Sequence, residues 1–363
     1  MNGSIYSIIT GSGSYVPTRV VKNEKFHDHV FYNAAGEIIP KTNAEIVRKF
    51  QEITEIEERR YADDQHLTSD LGFFAAQKAI HSAQVDKETL DYIIVAHNFG
   101  DVRPGNRKCD MVPSLASRIK FKLGIENPFT VAYDLPFGCP GWLQGMIQAD
   151  YYIRSGDAKR VLVIGAEILS RIADPHDIDS MIYSDGAGAV ILEGTSSEEP
   201  VGILAHLTRT DAIEHAYLLR MEKSYNTAYH DDTLFIKMNG RKLYEYALNT
   251  VPGMVKACIE KAGLDLSDIK KVLIHQANAK MDDAILARLF RLYGQKELPD
   301  GIMPMTISKF GNNSVATIPI LYDLIMNGEM ENQQMNEGDF VVMASVGAGM
   351  NVNVIVYKMP SAG

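Results

Sequence analysis

Three short segments of the chain place a cysteine, a histidine and an asparagine in settings suited to chemistry on a carboxylic carbon. They are Gly138-Cys139-Pro140-Gly141, His275-Gln276-Ala277-Asn278 and Gly311-Asn312-Asn313-Ser314. Each lies where an apolar, strand-like run meets a helix-like segment. A thiolate nucleophile, an imidazole and a neutral hydrogen-bond donor are together what thioester chemistry requires. We therefore take Cys139, His275 and Asn312 as candidate catalytic residues.

Cys139 has the setting of a reactive thiol. It follows a predicted turn and precedes a predicted helix at 141–155. At a helix start, the helix dipole and the free backbone N–H groups favour a thiolate. The other two cysteines have plainer settings, because Cys109 lies in a loop-like stretch and Cys258 lies within a helical pattern.

Each of the three motifs, taken alone, also fits a structural role. A cysteine between two glycines can form a simple strand-to-helix elbow, as at Cys139. A single histidine such as His275 can be a buried core side chain with satisfied hydrogen bonds. Asn312 can be a turn former. The catalytic interpretation therefore depends on all three motifs occurring together.

The bulk composition limits the classes of function. With 363 residues, 46% of them hydrophobic, the chain is long enough for two packed domains or one duplicated domain. A net charge of −10 argues against a nucleic-acid surface, which needs a clustered basic face. We expect no membrane span, because no stretch approaches about 18 consecutive apolar residues.

The cysteines and the N-terminal residues bear on the compartment. Three cysteines are too few and too scattered for a disulfide framework or a zinc site, so we expect no metal. Residues 1–10 lack the charged-then-apolar layout of a signal peptide. We therefore expect a cytoplasmic protein with reduced thiols.

Strand-like and helix-like segments alternate along the chain. Apolar runs predict strands at 5–10, 92–97, 129–133, 160–168, 186–192, 201–207, 271–275 and 340–345, and 306–310 also looks extended. Helical spacing predicts helices at 114–123, 141–155, 241–262, 282–292 and 315–326. A polar, loop-like stretch at 195–200 separates two similar series, each ending in a glycine turn and a strand. We therefore predict a duplication with halves 1–196 and 197–363.

Two stretches do not fit this regular plan. Residues 27–43 carry aromatics, Gly and Pro without clear periodicity, and residues 98–112 are rich in Gly, Pro and charge. Long loops inside compact domains are usually functional or disordered. Both stretches are interpreted as insertions near the substrate entrance, with plain solvent-exposed loops as the alternative.

The sequence resembles a known family in five phrases that occur in order over nearly the whole chain. They are DLPFGCPG, SDGAGAVIL, LIHQAN, FGNNSVATIPI and the C-terminal SVGAG. These phrases are similar to those of ketoacyl-acyl-carrier-protein synthase III and its relatives in the thiolase superfamily. The resemblance implies an α/β fold, a thiolase-like duplicated α-β-α-β-α five-layer sandwich, and usually a homodimer.

The resemblance also implies a reaction. Cys139 matches the nucleophile that becomes acylated, and His275 and Asn312 match the pair that hydrogen-bonds the thioester carbonyl of a malonyl-type substrate. These two hydrogen-bond donors stabilise the enolate left when carbon dioxide departs. The enolate then attacks acyl-Cys139 to give a 3-oxoacyl product, as in fatty acid or polyketide-type biosynthesis. A second oxyanion lies against the Cys139 N–H and the turn at Ala348, and no metal or organic cofactor is implied.

Departures from the family's pattern concern the thioester carrier. Relatives that take acyl-coenzyme A carry a Trp and two Arg residues where this chain has Lys49, Ile53 and Ile178. The planar clamp for an adenine and an Arg for a phosphate are therefore missing. Pro140 and Trp142 depart from the pattern around the nucleophile, which predicts an altered acyl pocket.

A basic helix face favours acyl carrier protein over coenzyme A as the thioester carrier. Lys280, Arg288 and Arg291 place cations on the helix after His275, where the family docks acyl carrier protein. The alternative is an ordinary solvated helix face. We expect acyl carrier protein as the partner, with acyl and malonyl thioesters as substrates.

Two rival functions remain open from the sequence. A family acyltransferase could pass the acyl group from Cys139 to a hydroxyl or amine, but the presence of Asn312 argues for enolate formation. A non-catalytic partner subunit could bind carrier protein, but such a subunit would typically lack the nucleophile. The sequence favours condensation over both.

Overall fold

A computed structural model describes residues 3–229 and 232–361 of the chain. Its strands are β1 (Ser4–Tyr15), β2 (Arg19–Lys22), β3 (Glu58–Tyr61), β4 (Tyr92–Ala96), β5 (Asp101–Arg103), β6 (Asn106–Asp110), β7 (Val131–Leu135), β8 (Arg160–Ile168), β9 (Asp185–Ser197), β10 (Gly202–Thr210), β11 (Leu219–Glu222), β12 (Phe235–Met238), β13 (Ile269–Ile274), β14 (Phe340–Gly347) and β15 (Asn351–Lys358). Its α-helices are α1 (Asn43–Thr54), α2 (Thr68–Ala83), α3 (Leu115–Leu123), α4 (Gly141–Ser155), α5 (Ala212–His215), α6 (Gly240–Lys261), α7 (Ala279–Leu292), α8 (Ile307–Phe310) and α9 (Thr317–Met326).

Two sheets of the same order form the frame. The first sheet has the order β1-β9-β8-β4-β7, and the second has the order β10-β15-β14-β13. In each sheet the first two strand pairs are antiparallel: β1 with β9 and β9 with β8, or β10 with β15 and β15 with β14. The third pair, β8 with β4 or β14 with β13, is parallel. The second sheet thus repeats the first without an equivalent of β7, as expected for an internal duplication.

Helices fill three layers around the two sheets. Helices α4 and α9 share one buried cluster with residues from both sheets, so they form the middle layer. Helices α2 and α3 pack on the other face of the first sheet, and α6 and α7 pack on the other face of the second. The predicted five-layer α-β-α-β-α sandwich is confirmed.

The strand sequences explain why both faces of each sheet are covered. In β4, Ile93 and Val95 point to the outer helices, whereas Ile94 and Ala96 point to the middle layer. All four side chains are fully buried. A strand that is apolar at every position needs cover on both faces, because successive side chains point to opposite sides.

Most predicted elements are found, with helix ends at the expected signals. Ser114 accepts a hydrogen bond from Ser117 N at the start of α3, and Gly124 ends that helix with a positive φ of 63°. The predicted loop at 195–200 starts late, because β9 continues to Ser197. The predicted division into 1–196 and 197–363 therefore falls at the end of β9 and stays a prediction, and its outermost residues, 1–2 and 362–363, lie outside the described residues.

The extended segment predicted at 306–310 is wrong. Residues Ile307–Phe310 form the helical turn α8. The Gln276 side chain accepts hydrogen bonds from the N–H groups of Thr306 (2.8 Å) and Ile307 (3.0 Å). A side chain about 30 residues away thus caps the turn, and no local pattern encodes that contact.

In the part of the chain that the structure describes, no helix has the length and apolar character needed to cross a membrane.

Asp282 on α7 predicts a pH-dependent loss of stability. Its side chain is fully buried, and neither carboxylate oxygen has a hydrogen-bond partner among the described residues. Burial raises the pKa of Asp282 well above its ordinary value, and the neighbouring Asp283 adds to the rise. A carboxyl whose pKa is higher in the folded state contributes stability at low pH, and that stability is lost as the pH rises through the folded pKa.

We therefore expect Asp282→Asn to stabilise the protein relative to the native chain, by more at pH 8 than at pH 5. The difference between the two pH values should be about 1–3 kcal/mol in the free energy of unfolding, measured by urea titration. Asp283→Asn is the matched control, because Asp283 is exposed and its replacement should change stability by less than about 0.5 kcal/mol. Parallel pH profiles for Asp282→Asn and the native chain would contradict this account.

Candidate active site

Cys139 lies in a tight turn between β7 and α4. Gly138 has a φ of 75°, which favours glycine, and its carbonyl accepts a hydrogen bond from Gly141 N at 2.9 Å. The turn points the thiol at Ser314, whose hydroxyl donates to Cys139 Sγ at 3.4 Å. The predicted position of Cys139 at a helix start is therefore found.

The surroundings of Cys139 oppose its ionisation. The residue is partly exposed to a cavity, but protein surrounds the thiol on most sides, and burial raises the pKa of the thiol to about 11. The Ser314 hydrogen bond lowers the pKa of the thiol, and the charge of Glu167 raises it further. Burial thus counteracts the thiolate that the helix start favours, and the resting thiol is neutral at pH 7.

The turn after β14 brings backbone groups against Cys139. A Cβ added to Gly347 would lie 2.6 Å from Cys139 N, and one added to Gly138 would lie 2.9 Å from Ala348 N. Asn351 Nδ2 donates to Ala348 O (2.8 Å) and to Phe137 O (3.3 Å), which ties the two turns together. The N–H groups of Cys139 and Ala348 are therefore close neighbours, as an oxyanion site requires.

His275 follows the last residue of β13 and extends that strand. Its N–H donates to Ala344 O of β14 at 2.9 Å, and the residue is buried. Burial lowers the pKa of His275 to about 4, and the nearby Ser314 backbone opposes part of this shift. Nδ1 has no hydrogen-bond partner among the described residues. The imidazole is therefore neutral at pH 7.

Asn312 is held by its backbone and by one side of its amide. Its N–H donates to Ile182 O and its carbonyl accepts from Ser184 N, both at 2.9 Å. Asn312 Oδ1 accepts from Ser314 N at 2.7 Å, which fixes the orientation of the amide. Nδ2 has no partner among the described residues, and Asn312 lines the cavity. Its two N–H donors are therefore available to a bound substrate.

One cavity of about 250 Å³ brings together all the catalytic residues predicted from the sequence. Its lining includes Cys139, His275, Asn312 and Ala348. The remaining wall is mostly apolar, with Phe99, Leu169, Tyr183, Leu219, Ile236 and Val346 among the side chains. A nucleophile, an imidazole and an amide in a mostly apolar cavity have the arrangement needed for acyl transfer.

A cleft of about 720 Å³ leads to this cavity. The cavity and the cleft share Met238, Leu243, Ala277, Met281 and Asn312, so they are continuous. The three positions that depart from coenzyme A-using relatives, Lys49, Ile53 and Ile178, all line the cleft. The cleft therefore opens into the cavity that Cys139 lines.

Both irregular stretches lie at this site. Ile39 and Lys41, from the stretch 27–43, line the cleft. In the stretch 98–112, Asn98 and Phe99 line the cavity, and the hairpin β5-β6 follows them. Residues of both stretches therefore lie at the cavity or at the cleft, and their interpretation as insertions near the substrate entrance stays a prediction.

Three residues near Cys139 were not predicted from the sequence as part of the site, namely Asn98, Glu167 and Ser314. Asn98 donates to Ser314 Oγ at 3.0 Å and to Glu167 Oε2 at 2.6 Å, and Glu167 is fully buried. Burial raises the pKa of Glu167 to about 7. One signal was present in the sequence, because Asn98 directly follows His97, which occupies the same place after β4 as His275 does after β13.

Comparison with known proteins identifies the family. The family model described as 3-oxoacyl-[acyl-carrier-protein (ACP)] synthase III matches residues 133–212, and its C-terminal model matches residues 259–359. A beta-ketoacyl-[acyl-carrier-protein] synthase III of Ehrlichia canis is 32% identical over 346 residues, which cover 95% of this chain and 96% of that protein. The chain belongs to the 3-oxoacyl-[acyl-carrier-protein] synthase III family.

Two further relatives of the same family agree in sequence and fold. The beta-ketoacyl-[acyl-carrier-protein] synthase III of Staphylococcus epidermidis is 32% identical over 352 residues, which cover 96% of this chain and 98% of that protein. The crystal structure of the enzyme from Thermus thermophilus has a TM-score of 0.79 at 29% identity, and the match covers 98% of this chain and 100% of that one. Membership in the synthase III family makes this protein a condensing acyltransferase.

The residues predicted for carrier docking lie outside the synthase III cavity. Lys280, Arg288 and Arg291 are exposed on α7. Arg288 donates to Leu248 O (3.1 Å) and Asn249 Oδ1 (2.6 Å) on α6, so it also holds two helices together. Lys280 and Arg291 have no ion-pair partner among the described residues, which leaves them available to a partner.

The prediction that Trp142 alters the acyl pocket is wrong, because this side chain does not reach the cavity. Trp142 is buried in the middle layer, where its Nε1 donates to Val163 O at 3.3 Å. It points away from the cavity because α4 turns this position toward β8. The residue belongs to the core that positions α4, and it does not line the acyl cavity.

We expect Gly347→Ala to reduce acylation of Cys139 about 100-fold or more, because the new methyl group would displace Cys139 N from the oxyanion site. Gly347 has extended backbone angles that any residue can adopt, so the effect would come only from the steric clash of the added methyl group. Gly253→Ala is the matched control, since nothing lies within 4 Å of the added Cβ on α6. Acylation measured by intact-protein mass spectrometry should be unchanged in that control, and normal acylation of Gly347→Ala would refute the assignment.

Proposed function

We propose that this protein catalyses a decarboxylative Claisen condensation between an acyl thioester and a malonyl-type thioester to give a 3-oxoacyl product. The observation that carries the proposal is the free Nδ2 of Asn312 in the cavity that also holds Cys139 and His275. Condensation forms an enolate from the malonyl thioester, and an enolate oxygen needs such a donor. Simple acyl transfer to a hydroxyl or amine forms no enolate, so we prefer condensation.

In the first half-reaction, Cys139 takes the acyl group. The Cys139 sulfur bonds to the acyl carbon, the carbon–sulfur bond to the carrier breaks, and the thiol proton ends on the departing carrier thiol. The tetrahedral oxyanion lies against the N–H groups of Cys139 and Ala348. Fixed backbone dipoles in an enclosed cavity stabilise developing charge better than mobile water does.

In the second half-reaction, the malonyl-type thioester loses carbon dioxide. The carbon–carbon bond to the carboxylate breaks, and its electron pair forms the enolate. Asn312 Nδ2 and an imidazole N–H of His275 hydrogen-bond the enolate oxygen. The neutral imidazole suits this role, because burial holds the pKa of His275 near 4. The enolate carbon then bonds to the acyl carbon, and Cys139 leaves.

The cavity walls support an aliphatic acyl group. Phe99, Leu169 and Ile236 contribute apolar surface beside Cys139. A hydrocarbon chain gains about 25 cal/mol for each Å² of apolar surface removed from water. We propose that the reaction uses these protein groups alone, without a metal or organic cofactor, because neutral hydrogen-bond donors already face the reacting oxygens.

Acyl carrier protein is the proposed thioester carrier. The cleft presents Ile53 and Ile178 where an adenine clamp and a phosphate-binding Arg are expected, so it offers little to a nucleotide. Lys41 and Lys49 line the same cleft, which also contains Glu45, Asp179 and Glu245, and Lys280 is exposed nearby on α7. These cations lie on a protein of net charge −10 and would attract an acidic carrier locally.

A homodimer is proposed from the edge of the first sheet. Strand β7 pairs with β4 on one side, and its other edge has no strand partner among the described residues. Phe129 is 84% exposed just before β7, and Val131 on the strand is 47% exposed. An open apolar edge of this kind is covered in most native proteins, and a second copy would cover it.

The cysteines are unpaired, which supports a reducing compartment such as the cytoplasm.

Cys139→Ala should abolish formation of the acyl-enzyme, since no other cysteine has a comparable setting. Incubation with acyl thioesters followed by intact-protein mass spectrometry measures this directly. Cys109→Ser is the matched control, because Cys109 is exposed on β6 and its replacement should leave acylation unchanged. Normal acylation of Cys139→Ala would refute the proposed function.

His275→Ala and Asn312→Ala should still form acyl-Cys139 but should decarboxylate the malonyl thioester about 100- to 1,000-fold more slowly. The reason is that both side chains act on the enolate, whereas the first oxyanion uses backbone N–H groups. Release of labelled carbon dioxide and acyl-enzyme mass measure the two half-reactions separately. A defect confined to acylation would support the acyltransferase alternative.

Replacement of Lys280 and Arg291 by Glu should raise KM for acyl carrier protein severalfold, and the effect should weaken as salt rises. Arg288 is left intact because it holds α6. Lys159→Glu serves as a control for charge reversal at a remote site, since Lys159 is exposed before the first residue of β8, at the end of the sheet away from Cys139. An unchanged KM in the double variant would place the docking surface elsewhere.

A further inference from the structure

Ser314 contacts all three catalytic segments. Its hydroxyl lies 3.4 Å from Cys139 Sγ, its N–H donates to Asn312 Oδ1 at 2.7 Å, and its backbone influences the His275 imidazole. Ser314 is buried and lines the cavity. A side chain in this position can donate a hydrogen bond to the sulfur, provided that its single hydroxyl proton points there.

The Asn98 amide determines where that proton points. Asn98 Nδ2 lies 2.6 Å from Glu167 Oε2 and 3.0 Å from Ser314 Oγ. The Asn98 N–H also donates to Glu167 Oε2, at 3.0 Å. Because a carboxylate accepts hydrogen bonds, Glu167 fixes the amide with its NH₂ group toward Ser314. One N–H of that group then donates to Ser314 Oγ, and the Ser314 proton is left for Cys139 Sγ.

The backbone of Ser314 supports a role for its side chain. Ser314 has a φ of 53°, in the left-handed region where glycine is the unstrained choice. A glycine at this position would relieve the backbone but would have no hydroxyl. The serine therefore keeps a strained backbone together with a hydrogen bond to the nucleophile, as is common for residues at functional sites.

We propose that Ser314 is a further catalytic residue, which donates a hydrogen bond to the Cys139 sulfur as it becomes a thiolate, and that Asn98, held by Glu167, is the positioning residue that fixes this direction. The inference rests on the proposed role of Cys139 as nucleophile. Ser314 keeps its own proton throughout acylation, because the Cys139 proton ends on the departing carrier thiol. The hydroxyl stabilises negative charge on sulfur before the carbon–sulfur bond forms.

Three titratable groups face the thiol from different elements. Glu167 at the end of β8 raises the pKa of Cys139, and it acts on the sulfur through Asn98 and Ser314 as well. His275 after β13 lines the same cavity and is neutral above about pH 4. Tyr183 also lines it, and burial keeps its phenol protonated by raising its pKa well above the ordinary value. Glu167 has a pKa of about 7, so changes in the thiol titration above about pH 8 report mainly on Cys139 and its hydrogen bonds.

The test is the pH dependence of Cys139 alkylation by iodoacetamide, followed by peptide mass spectrometry. Ser314→Gly and Ser314→Ala should both raise the apparent pKa of the thiol by about one to two units, since a hydrogen bond to a charged group is lost. At pH 8 alkylation should slow about 10- to 100-fold. Ser314→Gly relieves the strained backbone, so a matching shift in both variants would assign the effect to the hydroxyl.

A double-mutant cycle tests whether Asn98 acts through Ser314. Asn98→Ala should raise the apparent pKa of the thiol by a smaller amount, because the hydroxyl proton is then free to point elsewhere. The combined Asn98→Ala and Ser314→Gly variant should show the same pKa as Ser314→Gly alone. Additive shifts, or an unchanged pKa in Ser314→Gly, would overturn the proposal. Alkylation needs no malonyl substrate, so this outcome is independent of whether the protein condenses thioesters.

Discussion

The site depends on how closely two backbones approach each other at Gly347. This residue ends β14 in the second sheet, and a methyl group on it would lie 2.6 Å from Cys139 N, just before α4. Because the contact is backbone against backbone, no change of rotamer could relieve a misfit. Helices α4 and α9 fill the space between the two sheets and so set their spacing. The geometry of the proposed oxyanion site is therefore a consequence of packing throughout the middle layer.

The same packing decides the charge state of the site. Burial raises the pKa of Cys139 to about 11 and lowers that of His275 to about 4, so one cause keeps both groups neutral. These two groups therefore add no charge to the cavity before substrate binds. Charge then develops only on reacting atoms, where it meets oriented donors such as Asn312 Nδ2 and the Cys139 N–H. Such preorganised donors cost no solvent reorganisation during the reaction.

The sequence predicted elements that local patterns encode. The apolar run at 160–168 indicated β8, and the helical spacing at 141–155 indicated α4. Cys139, His275 and Asn312 were found because each lies in a distinctive motif. Contacts between distant positions could not be read in the same way. The bond from Asn98 to Ser314 spans 216 residues, and the cap that Gln276 gives to α8 is also non-local.

The duplicated frame explains why only one of two equivalent histidines is available for chemistry. Strands β4 and β13 occupy equivalent places in the two sheets, and each is followed by a buried histidine, His97 or His275. His97 Nε2 bonds Asp134 at 2.9 Å, and its Nδ1 accepts from Gly100 N at 3.0 Å, so both ring nitrogens are occupied. His275 has no such carboxylate and lines the cavity. Equivalent positions therefore differ in function because their hydrogen-bond partners differ.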